Sequence, residues 1–168
     1  GDDAEETTTT AAPTTTAATT TTAAPTTTVA PTTTTEPPAE ILFDTGAKPS
    51  LFRENFEKTG LDAGAMDILV ISHEHWDHVG GVSAFVKMKT GIPVILPHSV
   101  STPVKAQMAH YELKPLLVKD AAMICKHLYT SGEFDCSIAE QALILDTRKG
   151  LVVMTGCSHP GIVEMVRE

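Results

Sequence analysis

Three histidines and an aspartate stand within six consecutive positions of this 168-residue chain: His73, His75, Asp77 and His78. Imidazole nitrogens bind zinc, iron and related ions, and a carboxylate oxygen adds charge and can hold a second, harder ion. His73 and His75 can point to the same side of an extended loop, while Asp77 and His78 can turn toward a neighbouring position. Because chance rarely produces this spacing in a polar loop, it predicts a site for one or two divalent metal ions.

A buried strand is predicted to position these ligands. Residues 66–71 are short, apolar and rich in β-branched side chains, so the ligands follow the carboxyl end of a strand, where open α/β sheets place their sites. Gly80 and Gly81 come next and let the backbone pass close to the site. The His-Glu-x-x-His pattern of helical zinc sites is absent, since position 77 is Asp and nothing predicts a helix there.

Two other loops supply further candidates. His159 follows the apolar strand predicted at 151–155 and lies in a Gly- and Pro-rich loop, which favours it as an additional ligand. Cys157, in the same loop, is either a thiolate ligand or an inert thiol. His98 follows the strand predicted at 92–97 and is either a substrate contact or an exposed loop residue.

The remaining pattern alternates strands and helices and predicts an α/β fold. Further strands are predicted at 40–43, 115–119, 122–129 and 141–146. Helices are predicted from Ser50 to a stop at Gly60 and at 83–88, 102–113 and 162–168.

The pattern His-x-His-x-Asp-His after an apolar strand resembles the metallo-β-lactamase superfamily. Residues 42–46, Leu-Phe-Asp-Thr-Gly, resemble the first motif of that family, and residues 156–161, Gly-Cys-Ser-His-Pro-Gly, resemble a later motif of one branch. That branch contains proteins described as dihydropterin ribofuranosylaminobenzene phosphate synthase-like or as metal-dependent hydrolases, and residues 140–143 also fit it. In the wider superfamily, an Asp commonly occupies the position of Cys157.

This resemblance implies a metallo-β-lactamase-like αββα sandwich and a metal-dependent hydrolase. His73 and His75 would hold one ion, and Asp77 and His78 would hold the second, with His159 completing or bridging the pair. The ions would be zinc, with iron or manganese as alternatives, and they would acidify a water that attacks the substrate. Asp44 would orient a histidine or a metal-bound water. A phosphoester or cyclic phosphate is the first choice of substrate, a lactone or thioester is the alternative, and a β-lactam is disfavoured.

Two features of the family pattern are missing from this chain. No strands precede residues 42–46, and no histidine follows the loop at 156–161. We therefore expect a partial domain over residues 39–168. This expectation supports a rival hypothesis, a non-catalytic surface module built on a remnant fold.

Residues 1–38 differ in composition from the rest of the chain. They are rich in Thr, Ala and Pro, with almost no large apolar side chain, so they predict a disordered stalk or linker. Thr-rich segments with Pro are typical of O-glycosylated stalks, which favours a cell-envelope tether or an extracellular location. If the segment is only a linker, a cytoplasmic location is the alternative.

Charge and cysteine content narrow the classes of partner. The net charge is −9, so nucleic acid is not an expected partner, whereas a small molecule is. No apolar run is long enough to span a membrane. Cys125, Cys136 and Cys157 form no disulfide framework; free thiols are favoured, and a Cys125–Cys136 bridge is the alternative in an exported protein. The sequence does not indicate an oligomeric state.

Overall fold

The computed structural model describes residues 39–167, and the predicted stalk at 1–38 lies outside them. The strands are β1 Ile41–Phe43, β2 Ile68–Val70, β3 Pro93–Pro97, β4 Lys114–Val118, β5 Ala122–Cys125, β6 Leu128–Thr130, β7 Leu143–Thr147 and β8 Gly150–Met154. The helices are α1 Pro49–Thr59, α2 Trp76–Val79, α3 Val82–Phe85, α4 Thr102–His110 and α5 Ile162–Arg167. No helix in this part of the chain is long and apolar enough to cross a membrane.

The strands form two sheets of opposite character. The first sheet has the order β1-β2-β3-β4 and is parallel throughout, with helices in the connections. The second sheet has the order β5-β6-β7-β8 and is antiparallel. Short turns join β5 to β6 and β7 to β8, whereas a longer loop at 131–142 joins β6 to β7. Parallel strands need crossover connections, whereas antiparallel strands can be joined by tight turns, so the two halves of the sequence build different sheets.

Alternation of side chains along the strands makes the layers. In β2, Leu69 packs with the helix residues Phe56 and Phe85, whereas Val70 faces the second sheet and packs with Leu143. The outer face of the second sheet is covered in part by α5, where Met165 packs with neighbours that include Val153. Because successive strand residues point to opposite faces, a continuous apolar run in β2 can serve both layers. The predicted αββα sandwich is therefore confirmed.

Two local predictions were wrong. A four-residue helix, α2, occupies Trp76–Val79, where the sequence predicted an extended loop. The single strand predicted at 122–129 is a hairpin of β5 and β6, and His127 lies in its turn with φ at 65° rather than in a strand. The turn contains no Gly, Pro or Asn to announce it.

The cysteines follow the favoured prediction. Cys125, Cys136 and Cys157 are all free thiols in this structure, so the alternative Cys125–Cys136 bridge is absent from it.

Candidate metal centre

The histidine loop begins where β2 ends. Ser72 and His73 come after Ile71, the first residue past the strand, and are fully buried, whereas His75 and His78 are half-buried. His75 is the residue at the start of α2, and its carbonyl accepts hydrogen bonds from the N–H groups of His78 and Val79. This short helix turns His78 back toward His73, with the two rings 4.0 Å apart between centroids.

Two groups of three side chains bring potential ligand atoms within 4.8 Å of one another. The first group contains His73, His75 and His159, and the second contains His73, His78 and Cys157. The loop after β8 supplies one member of each group. It is distant in sequence from the histidine loop, since Cys157 follows His78 by 79 residues. His73 belongs to both groups and is the only fully buried member.

The atoms of these groups are spaced as metal ligands require. Two imidazole nitrogens bound to one tetrahedral zinc lie about 3.3 Å apart, and a nitrogen and a thiolate sulfur about 3.6 Å apart. His73 Nε2 and His75 Nδ1 are 3.1 Å apart, and His78 Nε2 and Cys157 Sγ are 3.2 Å apart. Imidazole and thiol donors suit zinc or iron. The residues present therefore fit the divalent ions that the sequence predicts.

Asp44 and Ser72 fix the orientation of two of the rings. Asp44 Oδ2 lies 2.7 Å from His78 Nδ1, and the Ser72 hydroxyl donates to the same oxygen at 2.7 Å. Ser72 Oγ also lies 3.0 Å from His73 Nδ1, from which it can accept. Both histidines then carry their proton on Nδ1, so each Nε2 lone pair is free for a metal ion.

Burial and neighbouring charge shift two proton equilibria in the centre. Burial, followed by the positive charges that His78 and the other imidazoles carry when protonated, lowers the pKa of His73 from 6.5 to about 4, although Glu140 opposes the shift. Partial desolvation and the carboxylates of Asp77, Glu140 and Asp44 raise the pKa of the Cys157 thiol. Without a cation, the centre thus favours a neutral His73 and a protonated thiol.

Three other acidic or histidine side chains lie outside both groups of ligand atoms. Asp77 Oδ2 lies 3.7 Å from His78 Nε2, and Asp77 is in neither group of ligand atoms. His98 is exposed after β3, and among the described residues its recorded hydrogen bonds involve only its backbone. Glu74, inside the motif, accepts from the Ser101 N–H at the start of α4, so it supports a helix rather than the metal centre.

Glycines are needed where three loops meet around the centre. A Cβ on Gly80 would lie 2.1 Å from the carbonyl oxygen of Ala47, and one on Gly81 would lie 2.1 Å from that of Thr45. These contacts are to backbone, which cannot move aside. Gly80 and Gly81 therefore let the histidine loop pack against residues 45–47, rather than serving the ions directly.

Sequence reasoning missed the polar residues that join the two sheets at this point. Fully buried Gln141 donates from Nε2 to the Ile71 carbonyl, and its own N–H donates to the Ser72 carbonyl. Glu140, also fully buried, accepts from the N–H groups of Ser158 and His159. In the sequence, residues 140–143 stood out only through the family resemblance, which assigned no role to Glu140 or Gln141.

Comparison with known proteins agrees with this architecture. The profile of a family described as β-lactamase superfamily domain matches residues 39–138. A curated relative, 7,8-dihydropterin-6-methyl-4-(β-D-ribofuranosyl)-aminobenzene-5′-phosphate synthase of Methanocaldococcus jannaschii, is 25% identical over 174 residues. The match covers 76% of this chain and 58% of the relative, so the chain spans less than two thirds of that protein's length.

Solved structures share the fold at low sequence identity. One is a metallo-β-lactamase fold protein of Bacillus subtilis, with a TM-score of 0.55 and 13% identity, covering 72% of this chain and 53% of that one. Another is an N-acyl homoserine lactone hydrolase with N-hexanoyl-L-homoserine at its catalytic metal centre, with a TM-score of 0.51 and 18% identity, covering 67% and 56%. With a family profile over more than half of its length and this shared fold, the chain belongs to the metallo-β-lactamase superfamily.

Proposed function

We propose that this protein is a metal-dependent hydrolase that binds two divalent cations, with zinc as the first choice and iron or manganese as alternatives. The observation that carries the proposal is the pair of ligand groups sharing His73, one with three imidazoles and the other with two imidazoles and a thiol. A polar loop without a metal-binding role has no need to gather these side chains from two distant stretches of the chain.

Each ligand side chain has a distinct task in this proposal. His73, His75 and His159 would hold one ion, and His78 and Cys157 would hold the second with help from Asp77. Divalent ions supply Lewis acidity, which makes a water nucleophilic near neutral pH and neutralises charge developing on the substrate oxygen. Asp77 is 43% exposed in its side chain, so its carboxylate can reach an ion or an incoming proton from the open side.

Asp44 would act through His78 rather than on the substrate. Its oxygen keeps the proton of His78 on Nδ1, so that Nε2 presents a lone pair beside Cys157 Sγ. A carboxylate partner also raises the basicity of a ligating imidazole. Asp44 is therefore proposed as a positioning residue for the second ion.

A phosphoester or cyclic phosphate is the proposed substrate, and a lactone or thioester is the alternative. The 25%-identical relative is named as a 5′-phosphate synthase, which supports a phosphate-bearing small molecule. One of the solved structures that share the fold is a homoserine lactone hydrolase, which supports a lactone as the alternative substrate. Because the carboxylates of Asp44, Asp77 and Glu140 lie beside the ligand residues, an anionic substrate would bind only after the ions do.

Metal analysis of the purified full chain is the first test. After dialysis against metal-free buffer, about two ions per chain are expected. Hydrolysis of bis(p-nitrophenyl) phosphate and of an acyl homoserine lactone would then be compared before and after the ions are removed and restored.

Variants distinguish the hydrolase from the surface module. His75→Ala and Asp77→Ala should abolish metal-dependent turnover, whereas His110→Ala, on the exposed surface of α4, should leave it unchanged. Metal-dependent turnover that survives in both ligand variants would refute the site assignment. A chain that retains no metal and hydrolyses neither substrate would favour the non-catalytic surface module.

A further inference from the structure

Glu140 is a fully buried carboxylate directly behind the loop that carries Cys157 and His159. Its Oε1 accepts from the Ser158 N–H at 2.9 Å, and its Oε2 accepts from the His159 N–H at 2.7 Å. Both oxygens therefore act as acceptors for consecutive backbone groups, an arrangement that suits the ionised form. Glu140 therefore binds the loop through two hydrogen bonds, one at His159, which is proposed as a ligand, and one at Ser158.

The loop needs such an anchor because its backbone is strained. Ser158 has φ at 58°, a left-handed conformation that is unfavourable for a residue with a Cβ. Gly156 lies so close to the histidine loop that an added Cβ would be 2.3 Å from Ser72 Oγ and 3.1 Å from Glu140 Oε1. A strained turn persists only where surrounding contacts stabilise it. Here Glu140 supplies two of the stabilising hydrogen bonds.

The backbone next to Glu140 is hydrogen-bonded to the histidine loop. Its carbonyl accepts from the Phe134 N–H, and the next residue, Gln141, donates its N–H to the Ser72 carbonyl. Glu140 thus spans the distance between the strand end that carries His73 and the loop that carries His159. Displacement of its carboxylate would move one member of each ligand group, Cys157 or His159, relative to the other two.

The charge of Glu140 also lacks a cationic partner. Within residues 39–167, it forms no salt bridge with Lys, Arg or His. A buried carboxylate is costly unless hydrogen bonds and nearby positive charge compensate it. The imidazoles of the candidate centre are its ionisable neighbours, since its charge acts on His73. A divalent cation held by those imidazoles would provide the missing compensation.

We propose that Glu140 is a positioning residue of the metal centre: it holds the loop of Cys157 and His159 in place before ions bind and compensates their charge afterwards. This inference rests on the proposed function, because it assumes that the ligand groups bind metal. It assigns a role to a residue outside both groups of ligand atoms.

The test uses cobalt titration of the metal-free full chain, read by visible absorption and by competition with a chromophoric chelator. Glu140→Gln keeps the shape but replaces one acceptor oxygen with a donor NH₂ group that opposes a backbone N–H. We expect cobalt affinity to fall about 10- to 100-fold and the absorption bands to change. Glu133→Gln is the matched control: that carboxylate also accepts from a backbone N–H, of Ser99, but lies outside both ligand groups, so wild-type affinity is expected.

The outcomes separate this inference from the proposed function. If the wild-type chain binds no cobalt, the proposed function fails, and this inference fails with it. If the wild-type chain binds cobalt and a folded Glu140→Gln variant matches its affinity and spectrum, only the role of Glu140 is refuted. If that variant does not fold, Glu140→Asp keeps the charge but shortens the reach, and wild-type affinity and spectrum in this variant would overturn the role.

A measurement on the unaltered protein completes the test. The amides of Ser158 and His159 should be protected from hydrogen exchange in the metal-free protein, because Glu140 already accepts from them. Protection that appears only after cobalt is added would contradict the proposed preorganisation of the loop, whatever the variants do.

Discussion

Acidification of the metal-free protein should destabilise it through His73. The side chain is fully buried, and burial together with the neighbouring imidazoles lowers its pKa from 6.5 to about 4. Between about pH 4 and pH 6.5, His73 is mostly protonated in the unfolded chain and mostly neutral in the folded protein. The free energy of unfolding therefore rises with pH across this window and becomes constant above it.

The magnitude follows from the shift. A difference of about 2.5 pKa units corresponds to about 3 kcal/mol, of which about 2.5 kcal/mol is lost at pH 4.5 relative to pH 7.5. Domains of this kind are stable by about 5–15 kcal/mol, so His73 would account for a large share of the acid sensitivity.

Urea unfolding of the EDTA-treated protein at pH 7.5 and pH 4.5 measures this loss. His73→Gln removes the titrating group, so its stability should depend less on pH, by about 2.5 kcal/mol over the same interval. His110→Gln, on the exposed surface of α4, should keep the wild-type dependence. The charged or ionisable groups that act on His73 are His75, His78, His159 and Glu140. An equal pH dependence in the wild type and in His73→Gln would refute the reasoning.

Three further predictions concern the residues around the ligands. Asp44→Asn should weaken cobalt binding about 10- to 100-fold, because the hydrogen bond that orients His78 is altered; a chelator competition measures the change, and wild-type affinity would contradict the role. Gly156→Ala should lower the free energy of unfolding by more than about 1 kcal/mol, since the new Cβ would meet the Ser72 side chain at 2.3 Å; urea unfolding tests this, and unchanged stability would refute the predicted clash. Bound zinc should slow alkylation of Cys157, which is otherwise exposed. Mass spectrometry of iodoacetamide-treated protein measures the rate of alkylation. Equal rates with and without zinc would exclude the thiol as a ligand.

The sequence was sufficient where a chemical pattern coincided with a simple element. The apolar run of β2 and the spacing of His73, His75 and His78 predicted both the strand and the loop that follows it. The same reasoning selected His159, whose loop follows β8, and the structure places its ring 4.9 Å from that of His73 between centroids. The ligand roles themselves stay predictions until metal is measured.

The sequence was insufficient where position depends on contacts between distant residues. Four residues of α2 are too few to create a helical periodicity, so this helix was not foreseen. The roles of Ser72 and Glu140 depend on bonds to residues 28 and 19 positions away, which no local pattern records. Gly80 and Gly81 were correctly singled out, but their neighbours are backbone atoms of residues 45 and 47 that only the fold brings together.

The division of ligands between two loops links metal binding to the packing of the sheets. His73, His75 and His78 follow a strand of the first sheet, whereas Cys157 and His159 follow a strand of the second, so neither group is complete in one sheet alone. An ion that binds ligands from both loops must favour the state in which the sheets are docked, by an amount that grows with the logarithm of its concentration. The hydrogen bonds of Glu140 and Gln141 join the same two sheets without metal. The more they stabilise the docked sheets, the less free energy of docking the ion must supply. Metal affinity and the stability of the sheet junction are therefore two measures of one equilibrium.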